Sequence, residues 1–157
     1  MKAIVYNEYS PEDDFAKILK VQEVDDPKPK SDEVVFQVKA AALNYNDIWG
    51  MRGNPVPVPL PHVSGSDAAG DVIAVGEDVK NIKVGDRVVS HSNMSCRVCK
   101  ACTDGREFDC TKRIIWGFQT GPNWGAFSEQ THLPEVNVAK IPENVSYDDA
   151  AAASMTL

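Results

Sequence analysis

Apolar and polar positions alternate along this chain in short stretches that read as strands. Residues 2–9 (KAIVYNEY), 16–24 (AKILKVQEV) and 32–43 (DEVVFQVKAAAL) are rich in β-formers and partly alternating. Asp25–Asp32 between them carries two prolines and no aliphatic or aromatic residue, which is turn chemistry. Asn44–Gly53 (NYNDIWGMRG) reads as one or two helical turns closed by glycine, and the four alternating prolines of NPVPVPLPH demand an extended loop or edge segment. Asp67–Val75 and Asp86–Ser90 read as strands joined through GEDVKNIKVG, with Phe127–Leu133 and Asn137–Ile141 as a final pair. Ser146-Tyr147-Asp148-Asp149 has the S-x-x-D form of a helix start, with acids where the helix dipole favours them. The helix then runs into AAAASMTL without glycine, a basic last turn or proline. That pattern predicts a domain over 1–145 and the start of a longer linker helix over 146–157. The alternative is a short terminal helix docked on the domain.

Composition narrows the function. The 157 residues are enough for one well-packed domain, with 43% hydrophobic and 25% charged residues. A net charge of −7 argues against nucleic acid or an anionic membrane as the partner. No apolar run approaches the length of a membrane span, and MKAIVYNEYSPEDD lacks a basic region followed by an apolar core, so neither a membrane partner nor a leader is expected. A reducing cytoplasm is the expected setting for thiols kept for a metal.

All four cysteines, Cys96, Cys99, Cys102 and Cys110, fall in one run, SCRVCKACTDGREFDC. Two-residue gaps turn successive thiolates inward on a tight loop, and the longer gap returns the fourth from the far side, as a tetrahedral zinc site needs. Two disulfides are the alternative, but bridging residues three apart strains the backbone. Four thiolates leave no open coordination position, so one structural zinc is expected in a lobe spanning 92–111. The chemistry must then be sought elsewhere.

Gly65-Ser66-Asp67-Ala68-Ala69-Gly70-Asp71-Val72, Val75-Gly76, Gly85-Asp86-Arg87-Val88-Val89, the cysteine lobe, Gly125-Ala126-Phe127-Ser128-Glu129 and Asp149-Ala150-Ala151 follow one another in order. In this the chain resembles the medium-chain dehydrogenase/reductase family. The resemblance implies a mainly β fold, a GroES-like, partly open β-barrel with short helices and a zinc-binding cysteine lobe. It also implies a Rossmann domain after it as a partner within the same protein. These 157 residues contain no G-x-G-x-x-G, so that domain is expected to lie outside them.

Zinc alcohol dehydrogenases of the family hold a second, catalytic zinc through cysteine, histidine and a further cysteine or aspartate, beside a glutamate. The matching positions here are Asn44, Ser66-Asp67 and Met155, which make no strong zinc site. The histidines His62, His91 and His132 are scattered. Asn44-Tyr45-Asn46 with Trp49, the GSDAAG segment and Arg113–Thr120 (RIIWGFQT) are similar instead to the branch of crotonyl-CoA carboxylase/reductases and acryloyl-CoA reductases. Such enzymes pass hydride from NADPH to an enoyl thioester. The resemblance implies Asn44, Tyr45, Asn46, Phe118 and Gln119 as catalytic-site residues. It implies Asn44, Tyr45 and Thr156 on the cofactor side, an acyl-CoA substrate, and a homo-oligomer at full length. Asn44–Asn46 also read as a helix N-cap and turn cluster, and Trp116 and Phe118 equally read as barrel core.

Carboxylating members carry glutamate where Gln119 stands, so reduction without carboxylation is expected. A zinc-containing alcohol dehydrogenase-like enzyme, a quinone oxidoreductase and a freestanding zinc-bearing interaction module remain open. Without its Rossmann partner the domain should expose an apolar patch at the barrel mouth and at AAAASMTL.

Overall fold

The computed structural model describes residues 1–121 and 124–156. Leu157, the last residue of the expected apolar patch, lies outside the described residues. The chain forms β1 (Lys2–Val5), α1 (Phe15–Ile18), β2 (Lys20–Glu23), β3 (Glu33–Ala42), α2 (Tyr45–Arg52), β4 (Asp67–Val75) and β5 (Arg87–Ser90). It continues through β6 (Asn93–Met94), α3 (Lys100–Thr103), β7 (Ile114–Ile115), β8 (Gln130–Pro134), β9 (Val138–Lys140) and α4 (Tyr147–Ala153). Single 3-10 turns cover Glu107–Asp109 and Glu135–Asn137.

The frame is an antiparallel five-stranded sheet in the order β8-β3-β4-β5-β9. Its long central strands pair Ala41 with Ala68 and Val34 with Val75, and two irregularities in β3 curl the sheet. The curl wraps a core of Val34, Phe36, Val72, Val88, Leu133 and Trp116. The β1–β2 ribbon closes one flank through Ile4 N–H to Phe127 O and a paired bridge between Tyr6 and His62. The result is a mainly β, partly open GroES-like barrel.

Three expectations change. Residues 16–18 are helical rather than extended, because Phe15, Ile18 and Leu19 recur at i, i+3, i+4 and pack together on Tyr6, Met51 and Val58. The two last strands are not partners: β8 lies against β3 and β9 against β5, at opposite edges of the sheet. Phe127–Glu129 pairs with β1 instead of extending β8. The terminal helix follows its signals. Ser146 Oγ accepts from Asp149 N–H at 3.0 Å, and Ala150 and Ala151 pack on Ala69 and Ile141 of the sheet. Tyr147 adds a hydrogen bond to Asp71 and lies under the Arg87 guanidinium. Among the described residues no helix is long and apolar enough to cross a membrane.

Candidate functional site

The cysteine lobe leaves and rejoins the sheet through the β6–β7 ribbon, where Asn93 pairs with Ile115. Asn137, almost fully buried, pins its root by donating to the carbonyls of His91 and Asn93. Arg97 takes a left-handed φ of 60° between the first two cysteines. The backbone N–H groups of Val98 and Cys99 then point at Cys96 Sγ and bring that thiol down to about 6. At Cys99 the N–H of Cys102 pulls the same way, but hydrogen bonds to the Cys102 and Cys96 sulfurs hold it at about 11.

All four Sγ atoms lie within 4.8 Å of one another, with Cys99–Cys102 at 3.5 Å and Cys96–Cys102 at 3.9 Å. A zinc with bonds of about 2.3 Å holds tetrahedral thiolates about 3.8 Å apart. Disulfide sulfurs sit about 2 Å apart, so these cysteines are free thiols. Four thiols this close ionise together only around a cation. The donor set therefore fits a structural metal ion.

The second centre is built on α2. Asn44 is its N-cap: its Oδ1 accepts from Tyr45 N–H at 2.8 Å, and its own N–H donates to Asp47 Oδ2 at 2.8 Å in a capping box. Gly53 ends the helix at φ 68°, the left-handed cap that glycine adopts freely. From the cap, Asn44 Nδ2 reaches Asp67 Oδ2 at 3.3 Å. One residue on, Asn46 Nδ2 donates to Ser66 Oγ at 2.8 Å and lies 3.8 Å from Met155 Sδ.

The structure thus brings Asn44, Ser66, Asp67 and Met155 to one place, Asn44 joined to Asp67 and Asn46 joined to Ser66 and Met155. An amide, a hydroxyl, one carboxylate and a thioether there do not fit a catalytic zinc. Asn46 Oδ1 and Asp67 Oδ1 are buried without a hydrogen-bond partner among the described residues. Burial pushes Asp67 above the usual carboxylate range, against the hydrogen bond from Asn44.

Asp47 was not among the sequence candidates. Its carboxylate accepts from the N–H groups of Gly65 and Asn44, at 3.0 and 2.8 Å. Burial raises it to about 6 despite those bonds, and the nearby Asp67 charge adds to the shift. Only its place in the N-D-I-W turn, three residues after an N-cap, signals it in the sequence.

Asn44, Tyr45 and Asp47 rim a cavity of about 480 Å³ whose walls are Ile4, Leu19, Ile48, Met51 and Phe127. Tyr6 and Ser64, hydrogen-bonded to each other, supply its other polar atoms. Leu43, 83% exposed, with Tyr45 and Ile4 makes its mouth the expected apolar patch.

The remaining candidates sit apart from that cavity. Phe118 packs with Tyr6, Ile18, Met51 and Val58, and Trp116 is fully buried in the main core. Gln119 Oε1 accepts from Ile115 N–H at 3.0 Å, tying its head to its own turn. Thr156 is exposed, its Oγ1 donating to Ala152 O.

Residues 30–143 match the alcohol dehydrogenase GroES-like domain, and the chain belongs to that family. It is 37% identical over 145 residues to a crotonyl-CoA carboxylase/reductase of Cereibacter sphaeroides, covering 88% of this chain and 33% of that one. An acryloyl-coenzyme A reductase of Metallosphaera sedula is 34% identical over 130 residues, 83% of this chain and 38% of its own. Among solved structures, an NAD-dependent alcohol dehydrogenase superposes with a TM-score of 0.90 at 38% identity, over 99% of this chain and 44% of that one. The chain therefore spans between a third and a half of the length of these relatives, all of them medium-chain dehydrogenases or reductases.

Proposed function

We propose that this chain is the substrate-side domain of a nicotinamide-dependent reductase acting on a short enoyl-CoA without carboxylating it, and that its lobe carries one structural zinc. The observation that carries the reading is the set of groups where zinc alcohol dehydrogenases hold their metal. Asn44, Asn46, Ser66, Asp67 and Met155 meet there, and they offer hydrogen bonds rather than a Lewis acid. NADPH, held mainly by a Rossmann domain, would supply the hydride.

This chain's own residues would bind and orient the thioester. Negative charge grows on the thioester oxygen during reduction, and preorganised amide N–H groups such as those of Asn44 and Asn46 stabilise it best in a dry site. The capping box fixes the Asn44 side chain, and Ser66 fixes that of Asn46. The apolar cavity beside Asn44 would take the chain attached to the thioester. Phe118 would back that cavity through Tyr6 and Met51, which line it, with Gln119 beside Phe118 in the same turn. Gln119 lacks the carboxylate that carboxylating relatives carry at that position, and its head is engaged with Ile115.

The test is full-length protein given acryloyl- or crotonyl-CoA and NADPH, with and without bicarbonate. Saturated product in both cases is expected. Oxidation of simple alcohols without enoyl-CoA reduction would overturn the reading, and carboxylated product would overturn the role given to Gln119.

A further inference from the structure

His62 ends the proline-rich loop and is 1% exposed. Its backbone is paired both ways with Tyr6, at 2.9 and 3.0 Å, and its ring lies 5.4 Å from the Tyr6 ring. Each ring nitrogen faces a backbone carbonyl: Nδ1 is 3.1 Å from Pro59 O and Nε2 is 3.1 Å from Gly117 O. Among the described residues, no carboxylate, ammonium or guanidinium is a hydrogen-bond partner of the ring. The phenol of Tyr6 is directed to Ser64. Burial holds the imidazole below its ordinary pKa, against the pull of the two carbonyls. The ring is therefore neutral near pH 7 and carries one N–H for two acceptors.

The carbonyl of Gly117 opens the turn that bears Phe118 and Gln119. Local bonds give this turn its shape. Gly117 N–H donates to Thr120 Oγ1 at 2.9 Å, Gln119 N–H donates to Ile115 O at 2.8 Å, and Gln119 Oε1 accepts from Ile115 N–H. Gly117 has φ 72°, and a Cβ there would fall 2.0 Å from Gly65 O, so the turn is pressed against the segment leading into β4. None of the local bonds sets where the turn stands relative to the barrel. Buried Trp116, whose N–H donates to Ser92 O, and buried Phe118 seat the turn on the core, and the bond from His62, 55 residues away in sequence, ties it directly to the proline-rich loop.

We propose that His62, as the neutral Nε2–H tautomer, is a positioning residue that anchors the Gly117 carbonyl and so helps hold the Phe118–Gln119 turn in register with α2. Phe118, the next residue in that turn, lies 3.6 Å from where a Cβ on Gly50 would stand. The catalytic consequence rests on the reductase reading above; the anchoring itself does not.

Two variants separate the ring's two contacts. His62→Gln places an amide N–H near the Nε2 position, and His62→Asn places one near Nδ1. In the full-length enzyme reducing crotonyl-CoA, His62→Asn is expected to lower kcat about tenfold with KM for NADPH unchanged, since small misplacements at a reacting centre are costly. His62→Gln is expected to stay within about threefold of wild type. In this chain, ¹H–¹⁵N spectra of His62→Asn should shift the Gly117, Phe118 and Gln119 amides and leave those of β3 and β4 in place, and His62→Gln should restore them. ¹⁵N spectra of the wild-type histidines, which need no variant, should show His62 protonated at Nε2. An Nδ1–H tautomer, unmoved turn resonances in His62→Asn, or equal kcat in the two variants would overturn the proposal. Turn resonances that move as expected in a protein without enoyl-CoA activity would support the anchor and refute the reductase reading.

Discussion

Gly50 sits on the face of α2 turned to the barrel. An added Cβ would meet Tyr6 Oη at 2.8 Å, Phe118 Cδ2 at 3.6 Å and Ser64 Oγ at 3.7 Å. Gly50→Ala would gain about 1 kcal/mol from helix propensity alone. Tyr6, however, is fully buried against the His62 ring and hydrogen-bonded to Ser64, so moving its ring aside breaks that packing and that bond. Overpacking of this kind costs about 1–3 kcal/mol, and prising the phenol from Ser64 leaves a buried hydroxyl unsatisfied for about 1–3 more. The steric and polar costs win. A net loss of roughly 2 kcal/mol is expected, which in a domain of this size lowers Tm by roughly 4–8 °C. Urea unfolding of Gly50→Ala, Tyr6→Phe and the double variant would measure it. Removing the hydroxyl makes room for the methyl, so the double variant should be more stable than Gly50→Ala, with a coupling of about 1–2 kcal/mol. A Gly50→Ala protein as stable as wild type, or strict additivity with Tyr6→Phe, would refute the close approach of α2 and Tyr6.

Metal analysis under reducing conditions should give about one zinc per chain. A strong chelator, or Cys102→Ser, should raise amide exchange between Ser92 and Thr111 and leave β3 and β4 protected; protection lost throughout would contradict a separable lobe. Asp47 titrates near 6 in the fold and near 4 when unfolded, so its contribution to stability is full below the unfolded value and lost as pH rises through 6. Wild-type stability should therefore fall between about pH 4 and 6 more steeply than that of Asp47→Asn, and parallel pH profiles would count against the shift. This chain titrated with NADPH should show no binding tighter than about millimolar, roughly −4 kcal/mol, because it has no glycine-rich turn of the kind that binds pyrophosphate. Micromolar binding would mean that the cofactor is held largely by these residues.

Legibility in the sequence followed the range of each interaction. The cysteine lobe and α2 were readable because their determinants are local: a spacing of four thiols, and a helix with Asn44 at one end and Gly53 at the other. The helical turn at 15–18 was missed because β-formers on both sides masked a three-residue apolar face. The two-residue strands β6 and β7 carry too few positions to show any alternation. His62 and Asp47 take their importance from Gly117 and Gly65, 55 and 18 residues away, and no local pattern marks such pairs. The positions matching the catalytic-zinc ligands of zinc alcohol dehydrogenases were individually visible. That Asn46 reaches both Ser66, 20 residues on, and Met155, 109 residues on, became visible only in the fold.

The cysteine lobe departs from Ser92 and returns at Trp116, whose N–H donates to Ser92 O at 2.9 Å. The main sheet therefore runs past its root as though the intervening chain were absent: no ladder of the five strands passes through the lobe. Insertions and deletions there change a loop-closure entropy that grows only with the logarithm of loop length. The frame that holds α2 has no stake in that length. Shortening the excursion to a tight turn would remove the four-cysteine site without reregistering a single barrel strand, so the cysteine-bearing part can be gained, lost or exchanged as a unit while the wall around Asn44 stays where it is.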